Sequence, residues 1–391
     1  MYTGPNVTND NLIFGYDTGY GIADTATSTR FYPGEPTTNL QSSNQTSSIL
    51  NGMEGISIAH VGEEDGWQKY SMSGTFTSGT YPYIMNLSNT SFTGGTKYST
   101  QVKIKTNVPG KFNYFGTGIN YVNQPMDHGG TSSSTVLADG SRLAKREGFA
   151  YTSNQNQPGY LLTNPINNTT FSSSTDFVYV KDFQVEQQDH CTPFTASSRT
   201  NTTSLIDLKQ TRDINVSNIS FEGTGQPDFD GTDDFIAITD LLASQSIGLG
   251  TQLTISLWLN PDSHTSAMAF STGQSGNDRI YFWTQSGLNT WRVNAYTSTT
   301  GHGSLPSIGN WFNTVLVING LNITVYLNGV EDYTGTYTAF TTQNYATFGR
   351  HGATSSYYYN GNIAVARIYE KALSATEVLK DFNAYKKRFN I

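Results

Sequence analysis

Strict alternation of apolar and polar residues, interrupted by Asn-Gly pairs, constrains this chain more than any other feature. In LTISLWLNP, Leu253, Ile255, Leu257 and Leu259 share one face while Thr254, Ser256 and Trp258 share the other, which is the period of a half-buried strand. By the same parity Trp258 points away from the leucines, and another layer is expected to cover it. VLVINGLNITVYLNGVEDY sets Asn319-Gly320 and Asn328-Gly329 between alternating segments, and Asn-Gly signals two-residue type I′ hairpins. Ile323, Val325 and Leu327 then face the core. YATFGR and GNIAVARIY read as further strands.

Composition extends this reading to the whole chain. The 391 residues include 22 Lys and Arg and 30 Asp and Glu, or 13% charged, about half the usual ~25%. Strand and turn formers (Thr, Ser, Asn, Gly, Tyr) stand where helix formers would be. The expectation is an all-β protein of two β-sandwich domains with a short C-terminal helix. SATEVLKDFNAYKKRF supplies that helix: Ser374 and Glu377 form a capping box, Val378, Leu379 and Phe382 its buried stripe, and Lys386, Lys387 and Arg388 its last turn. The net charge of −8 argues against nucleic acid and anionic membrane as partners. No stretch approaches the ~18 apolar residues of a membrane span, and the start does not read as a signal peptide. A single cysteine, Cys191, allows no internal disulfide.

The region from about Asn39 to Gln188 has the same β character. In DFVYVKDFQVEQ, Phe177, Tyr179, Phe183 and Val185 read as one face interrupted by Lys181. Between Thr192 and Asn218 the pattern dissolves into a connector rich in turn formers.

PDFDGTDDFIAI at 227–238, then LTISLWLNP, ITVYLNGVE and GNIAVARIYEKALSATEVLKDFNA, resemble in that order the concanavalin A-like, laminin G-type jelly-roll domains of bacteriophage and bacterial surface proteins. The resemblance covers about 220–391. It implies an opening strand shortly before the first block, and the counterpart here is NLIFGYDTGYG at 11–21, some 200 residues upstream. The middle of the chain is therefore expected to be an insertion in a loop of the lectin-like fold. TTNL at 37–40, GGTKYSTQVKIKTN at 94–107 and VYVKDFQVEQ at 178–187 resemble carbohydrate-binding-module jelly rolls. The expected layout is 1–36 as a strand completing the C-terminal sandwich, 37–194 as the inserted jelly roll and 195–391 as the concanavalin A-like domain. GPNV at 4–7, RFYPGEPTTNL at 30–40 and TPFTASSRT at 192–200 resemble a bacteriophage virion structural protein of fibre or decoration type. That resemblance implies a homo-oligomer, a trimer by analogy with fibres, made in the host cytoplasm and placed with other virion proteins on the particle surface.

Retaining glycosidases on related folds need two carboxylates ~5 Å apart. The carboxylate groups here (Asp228/Asp230/Asp233/Asp234, Glu331/Asp332, Glu186/Asp189) place no such pair within an apolar strand, and no nucleophile elbow or P-loop is present. The chain is therefore expected to be no enzyme, with a polysaccharide depolymerase as the alternative. Glycan recognition needs aromatic faces beside polar groups. Trp283, Trp291, Tyr357 and Tyr358 are the candidates, with Trp67, Tyr81 and Tyr83 in the inserted part. Structural calcium is the ion considered, because both resembled folds bind it through hard oxygen ligands. The resemblance points to Asp182, Asp17 and Asp207.

Overall fold

A computed structural model of the chain describes residues 7–19, 34–40, 55–77, 83–119, 130–221, 225–242, 246–247, 249–272, 280–285, 290–295, 301–304, 306–341, 345–352 and 354–391. The chain divides into two compact units, Met1–Glu35 with Thr200–Ile391 and Pro36–Arg199. Strands dominate both. The inserted unit closes at Arg199, beyond the expected 194, because Ser198 and Arg199 pair with Thr38 and Thr37.

In the discontinuous unit, two antiparallel sheets face each other across one core. The first runs Ser220–Phe221, Pro227–Asp230, Asn360–Tyr369, Gln252–Pro261, Phe312–Asn319, Asn322–Leu327 and Val330–Thr336. One edge of Asn360–Tyr369 is shared. Pro227–Asp230 pairs with its first residues, and Leu12–Asp17 pairs with Val365–Tyr369. The N-terminal strand thus completes a sheet built by the last third of the chain. The second sheet runs Ile236–Thr239, Tyr345–Phe348, Ala267–Thr272, Ile280–Gln285, Thr290–Ala295 and Gly301–Ser304.

Leu253, Ile255, Leu257 and Leu259 all enter the core between these sheets, as their alternation requires. Phe14 and Tyr16 join them with no exposed surface; the Phe14 ring stacks on Phe348 with centroids 5.8 Å apart. Tyr16 donates its hydroxyl to the Ile363 carbonyl at 3.2 Å, and complete burial raises its pKa. On the opposite face of the first sheet, Trp258 is covered by the C-terminal segment. Phe382 and Phe389 stack on its ring at 5.7 and 4.4 Å.

Three local expectations change. The helix spans Ala375–Tyr385 and buries Val378, Phe382 and Tyr385, whereas Leu379 lies one residue off that stripe and is 45% exposed. The Ser374–Glu377 capping box forms, but the helix ends before Arg388, whose charge meets Asp17 instead of the helix carbonyls. The loop at Asn319-Gly320 is shifted by one residue. Asn319 pairs with Asn322, so Gly320 and Leu321 form the turn, with Gly320 alone at positive φ. That is the type II′ pattern, whereas Asn328 and Gly329 are both left-handed as type I′ demands.

The Pro36–Arg199 unit has a sheet ordered Thr169–Phe171, Trp67–Phe76, Phe177–Glu186, Lys97–Thr106, Arg142–Ala150 and Thr131–Val136, with Ile56–Glu64 also paired to Trp67–Phe76. A three-stranded sheet comprises Tyr83–Phe92, Gln155–Pro165 and Phe112–Ile119. The single face expected for Phe177, Tyr179, Phe183 and Val185 does not exist. A bulge between Lys181 and Gln184, with Asp182 at φ 56°, inverts the alternation. Val178 and Val180 enter the core before it, Phe183 and Val185 after it, and Phe177, Tyr179 and Lys181 face outward.

Candidate functional site

Strand Ile280–Gln285 sends Ile280 and Phe282 into the core, so Tyr281 and Trp283 stand on the outer face of the second sheet. Trp283 lies opposite Met268, whose backbone N–H donates to the Tyr357 carbonyl at 2.9 Å. That bond seats the described parts of this loop, 349–352 and 354–359, against the aromatic face. The loop is itself closed by Tyr359 N–H to the Gly349 carbonyl at 2.8 Å and His351 N–H to the Ser356 carbonyl at 3.1 Å. Tyr357 occupies the left-handed region at φ 57° and is 45% exposed. Its ring lies 5.9 Å from Trp283 and 6.3 Å from His351, and Tyr281 lies 5.8 Å from Trp283.

The indole Nε1 of Trp283 is buried and has no hydrogen-bond partner among the described residues. A buried donor left unpaired costs about 1–3 kcal/mol, so what this N–H contributes is a local cost carried by the ring's position. The half-buried Trp283 ring beside exposed Tyr357 forms an aromatic shelf of the kind that stacks on the C–H face of a sugar ring.

The structure therefore brings Trp283 and Tyr357 together, with Tyr358 next in sequence and half-buried. Trp291 is on the neighbouring strand opposite Thr284, and Tyr83 is on Tyr83–Phe92, but their side chains lie outside the described residues, as does all of Tyr81. Trp67 is 7% exposed, with the ammoniums of Lys105 and Lys181 over its ring. Tyr281 and His351 were not singled out from the sequence. The i, i+2 spacing of Tyr281 and Trp283 was the available signal for the first, whereas the approach of His351 depends on loop closure.

Among the carboxylates, Asp230, Asp233 and Asp234 bring one oxygen each within 4.8 Å of the others. Asp230 closes its own turn, accepting from Thr232 N at 2.7 Å and Asp233 N at 3.3 Å, while Asp234 accepts from Asp230 N at 2.9 Å. Burial, then neighbouring Asp230, Asp233 and Asp228, push Asp234 up to about 6; burial and the carboxylates of Asp262 and Asp230 also raise Asp228. The donor set is the hard-oxygen kind that calcium takes. Among the described residues these are the three carboxylates that gather closely enough to share such an ion.

Asp17 is spent on Tyr385, Arg388 and Gly19. Asp207 accepts from Gly15, Lys209 and Thr211. Asp182 pairs with Lys103 at 2.8 Å. Glu186 is likewise occupied, holding Thr37 and Thr192.

The raised pKa of Asp234 has a definite consequence for stability. The folded state holds this proton more tightly than the unfolded chain, so this group's contribution to stability is full below about pH 4 and is lost as pH rises through about 6. With screening by solvent, the loss is about 1–2 kcal/mol. Asp234→Asn is expected to remove this slope, measured as the difference between urea-unfolding free energies of the two proteins from pH 4 to 7.

The discontinuous unit is a two-sheet β-sandwich of concanavalin A-like fold. Residues 230–379 match the family model described as the concanavalin A-like lectin/glucanases superfamily. Among solved structures, the chain is similar to domain 4 of AbnA, a GH43 extracellular arabinanase from Geobacillus stearothermophilus, in complex with arabinotriose. Identity there is 22%, covering 42% of this chain and 79% of that one, with a TM-score of 0.35. The ligand binding domain of botulinum neurotoxin serotype D in complex with N-acetylneuraminic acid is 13% identical, covering 47% and 49%, with a TM-score of 0.38. The heptameric SAP-like pentraxin of Limulus polyphemus is 16% identical, covering 39% and 78%, with a TM-score of 0.31. No curated protein matches the chain.

Proposed function

We propose that this chain is a non-catalytic, glycan-recognising adhesive subunit of a bacteriophage particle surface, in a fibre, collar or capsid decoration. The observation that carries the recognition step is the pairing of the half-buried Trp283 ring with exposed Tyr357 on the outer face of the second sheet. Shallow sites of this kind gain strength by repetition, and a trimer would present three of them at once. The phage assignment rests on the resemblance of the 4–7, 30–40 and 192–200 segments.

Glycan-array binding of fluorescently labelled protein tests the reading. Trp283→Ala and Tyr357→Ala are each expected to weaken the best glycan about tenfold or more, as loss of an aromatic anchor does, with unchanged melting temperature. Binding indifferent to both changes contradicts the assignment of the shelf. A fixed trimer by mass measurement agrees with the fibre reading, and a monomer does not.

One observation favours a second reading, a polysaccharide hydrolase. The carboxylates of Asp230, Asp233 and Asp234 come within 4.8 Å of one another and burial raises one of them to about 6, the unequal titration that an acid and base pair uses. Reducing-end release from a bound polysaccharide, abolished in Asp234→Asn, would establish it.

A further inference from the structure

The outer face of the Pro36–Arg199 sheet carries a row of lysines laid on aromatic rings. Register places Tyr179 between Lys69 and Lys105 on the adjoining strands, and pairs Lys181 with Lys103. The Lys69 ammonium sits 4.1 Å from the Phe177 centroid, that of Lys105 4.5 Å from Trp67 and 5.2 Å from Tyr179, and that of Lys181 6.0 Å from Trp67.

Two of these cations are neutralised, Lys69 by Glu64 at 2.6 Å and Lys103 by Asp182 at 2.8 Å. Among the described residues Lys105 and Lys181 make no ion pair, although Lys105 is close enough to Glu64 to help Lys69 hold its carboxyl below the usual range, in a chain whose net charge is −8. They are diagonal neighbours across two strands, about 7–8 Å apart. Beside Lys181, the bulge opens a cleft lined by Gly66, Gln68, Lys181, Asp182, Phe183 and Phe194.

We propose that this face binds an acidic polysaccharide, its carboxylate or sulfate groups seated on Lys105 and Lys181 and its sugar rings lying along the neighbouring cleft. Held over Trp67 and Tyr179, the two ammoniums are already ordered and lose little further freedom on binding. The charge pattern selects against nucleic acid. A duplex presents a phosphate charge about every 1.7 Å of its axis, and this face would set Glu64 and Asp182 among those phosphates. A glycan with sparse anionic groups meets the two cations that make no ion pair and leaves the carboxylates facing hydroxyls. The inference rests on the reading that the chain recognises glycans, but at a second site with its own ligand chemistry.

Binding of the full chain to alginate, dextran sulfate, neutral dextran and duplex DNA, followed by biolayer interferometry at several salt concentrations, tests it. One or both acidic glycans are expected to bind with an affinity that falls with salt. In K105Q/K181Q that affinity should drop about tenfold, with the melting temperature retained, and K105R/K181R should restore it. Unchanged affinity in K105Q/K181Q, tighter binding of duplex DNA, or no binding of either acidic glycan would each overturn the inference. If acidic glycans fail but Trp283-dependent glycan binding persists, only this second site is lost. If no glycan binds anywhere, the recognition reading itself fails.

Discussion

Asp17→Ala is expected to destabilise the lectin-like unit by about 3–5 kcal/mol, the cost of removing one partner from a buried charge network. Asp17 is 1% exposed and accepts from the Tyr385 hydroxyl at 2.5 Å and from Arg388 Nη1 at 2.6 Å. Arg388 also donates to Thr18 at 2.9 Å, and the Tyr385 hydroxyl accepts from buried Arg367 at 2.8 Å. Removing the carboxylate leaves the Arg367 and Arg388 charges without the anion they surround. In a unit of this size the loss corresponds to a fall of roughly 6–20 °C in melting temperature. Asp17→Asn, which keeps the shape and one acceptor, should lose less. A double-mutant cycle with Arg388→Ala should show coupling well above the 0–1 kcal/mol of an exposed pair.

Removing residues 1–18 has a larger effect. The strand Asn360–Tyr369 loses its partner along Val365–Tyr369, and the core loses Phe14 and Tyr16, both fully buried. Each aromatic truncation costs about 3–5 kcal/mol, against a total stability of about 5–15 kcal/mol for a domain. The lectin-like unit is therefore expected not to fold. The Pro36–Arg199 unit, with its separate core around Tyr70, Met72, Val102, Phe149 and Val180, should keep its own transition. Calorimetry of the shortened protein should show one transition where the full chain shows two.

How much of this was legible in the sequence depended on whether a rule acts locally. The 253–259 strand was, because four leucines at period two allow one buried face, and so was the covering of Trp258, which follows from the same parity. The N-terminal strand was found through resemblance, since its partner at 365–369 is far beyond any periodic pattern. The Phe177–Glu186 strand was misjudged because a single bulge residue, Asp182, inverts everything after it and leaves no composition signal. At the candidate site, Trp283 and Tyr357 were singled out separately. Their meeting depends on the Met268–Tyr357 backbone bond, which no pattern encodes. For the calcium candidates the limit is similar: an isolated Asp does not show that its oxygens are engaged by Arg388 or Thr211.

The nested arrangement is tested most directly by replacing residues 36–199 with a short glycine-serine link. Thr37 and Arg199 are cross-strand partners, so the flanking ends need a span of only about 5 Å. The joined lectin-like unit is predicted to unfold in one cooperative transition, with the amides of Leu12–Asp17 exchanging as slowly as those of Val365–Tyr369. An unfolded product, or Leu12–Asp17 amides exchanging at the rate of a free chain, would contradict it.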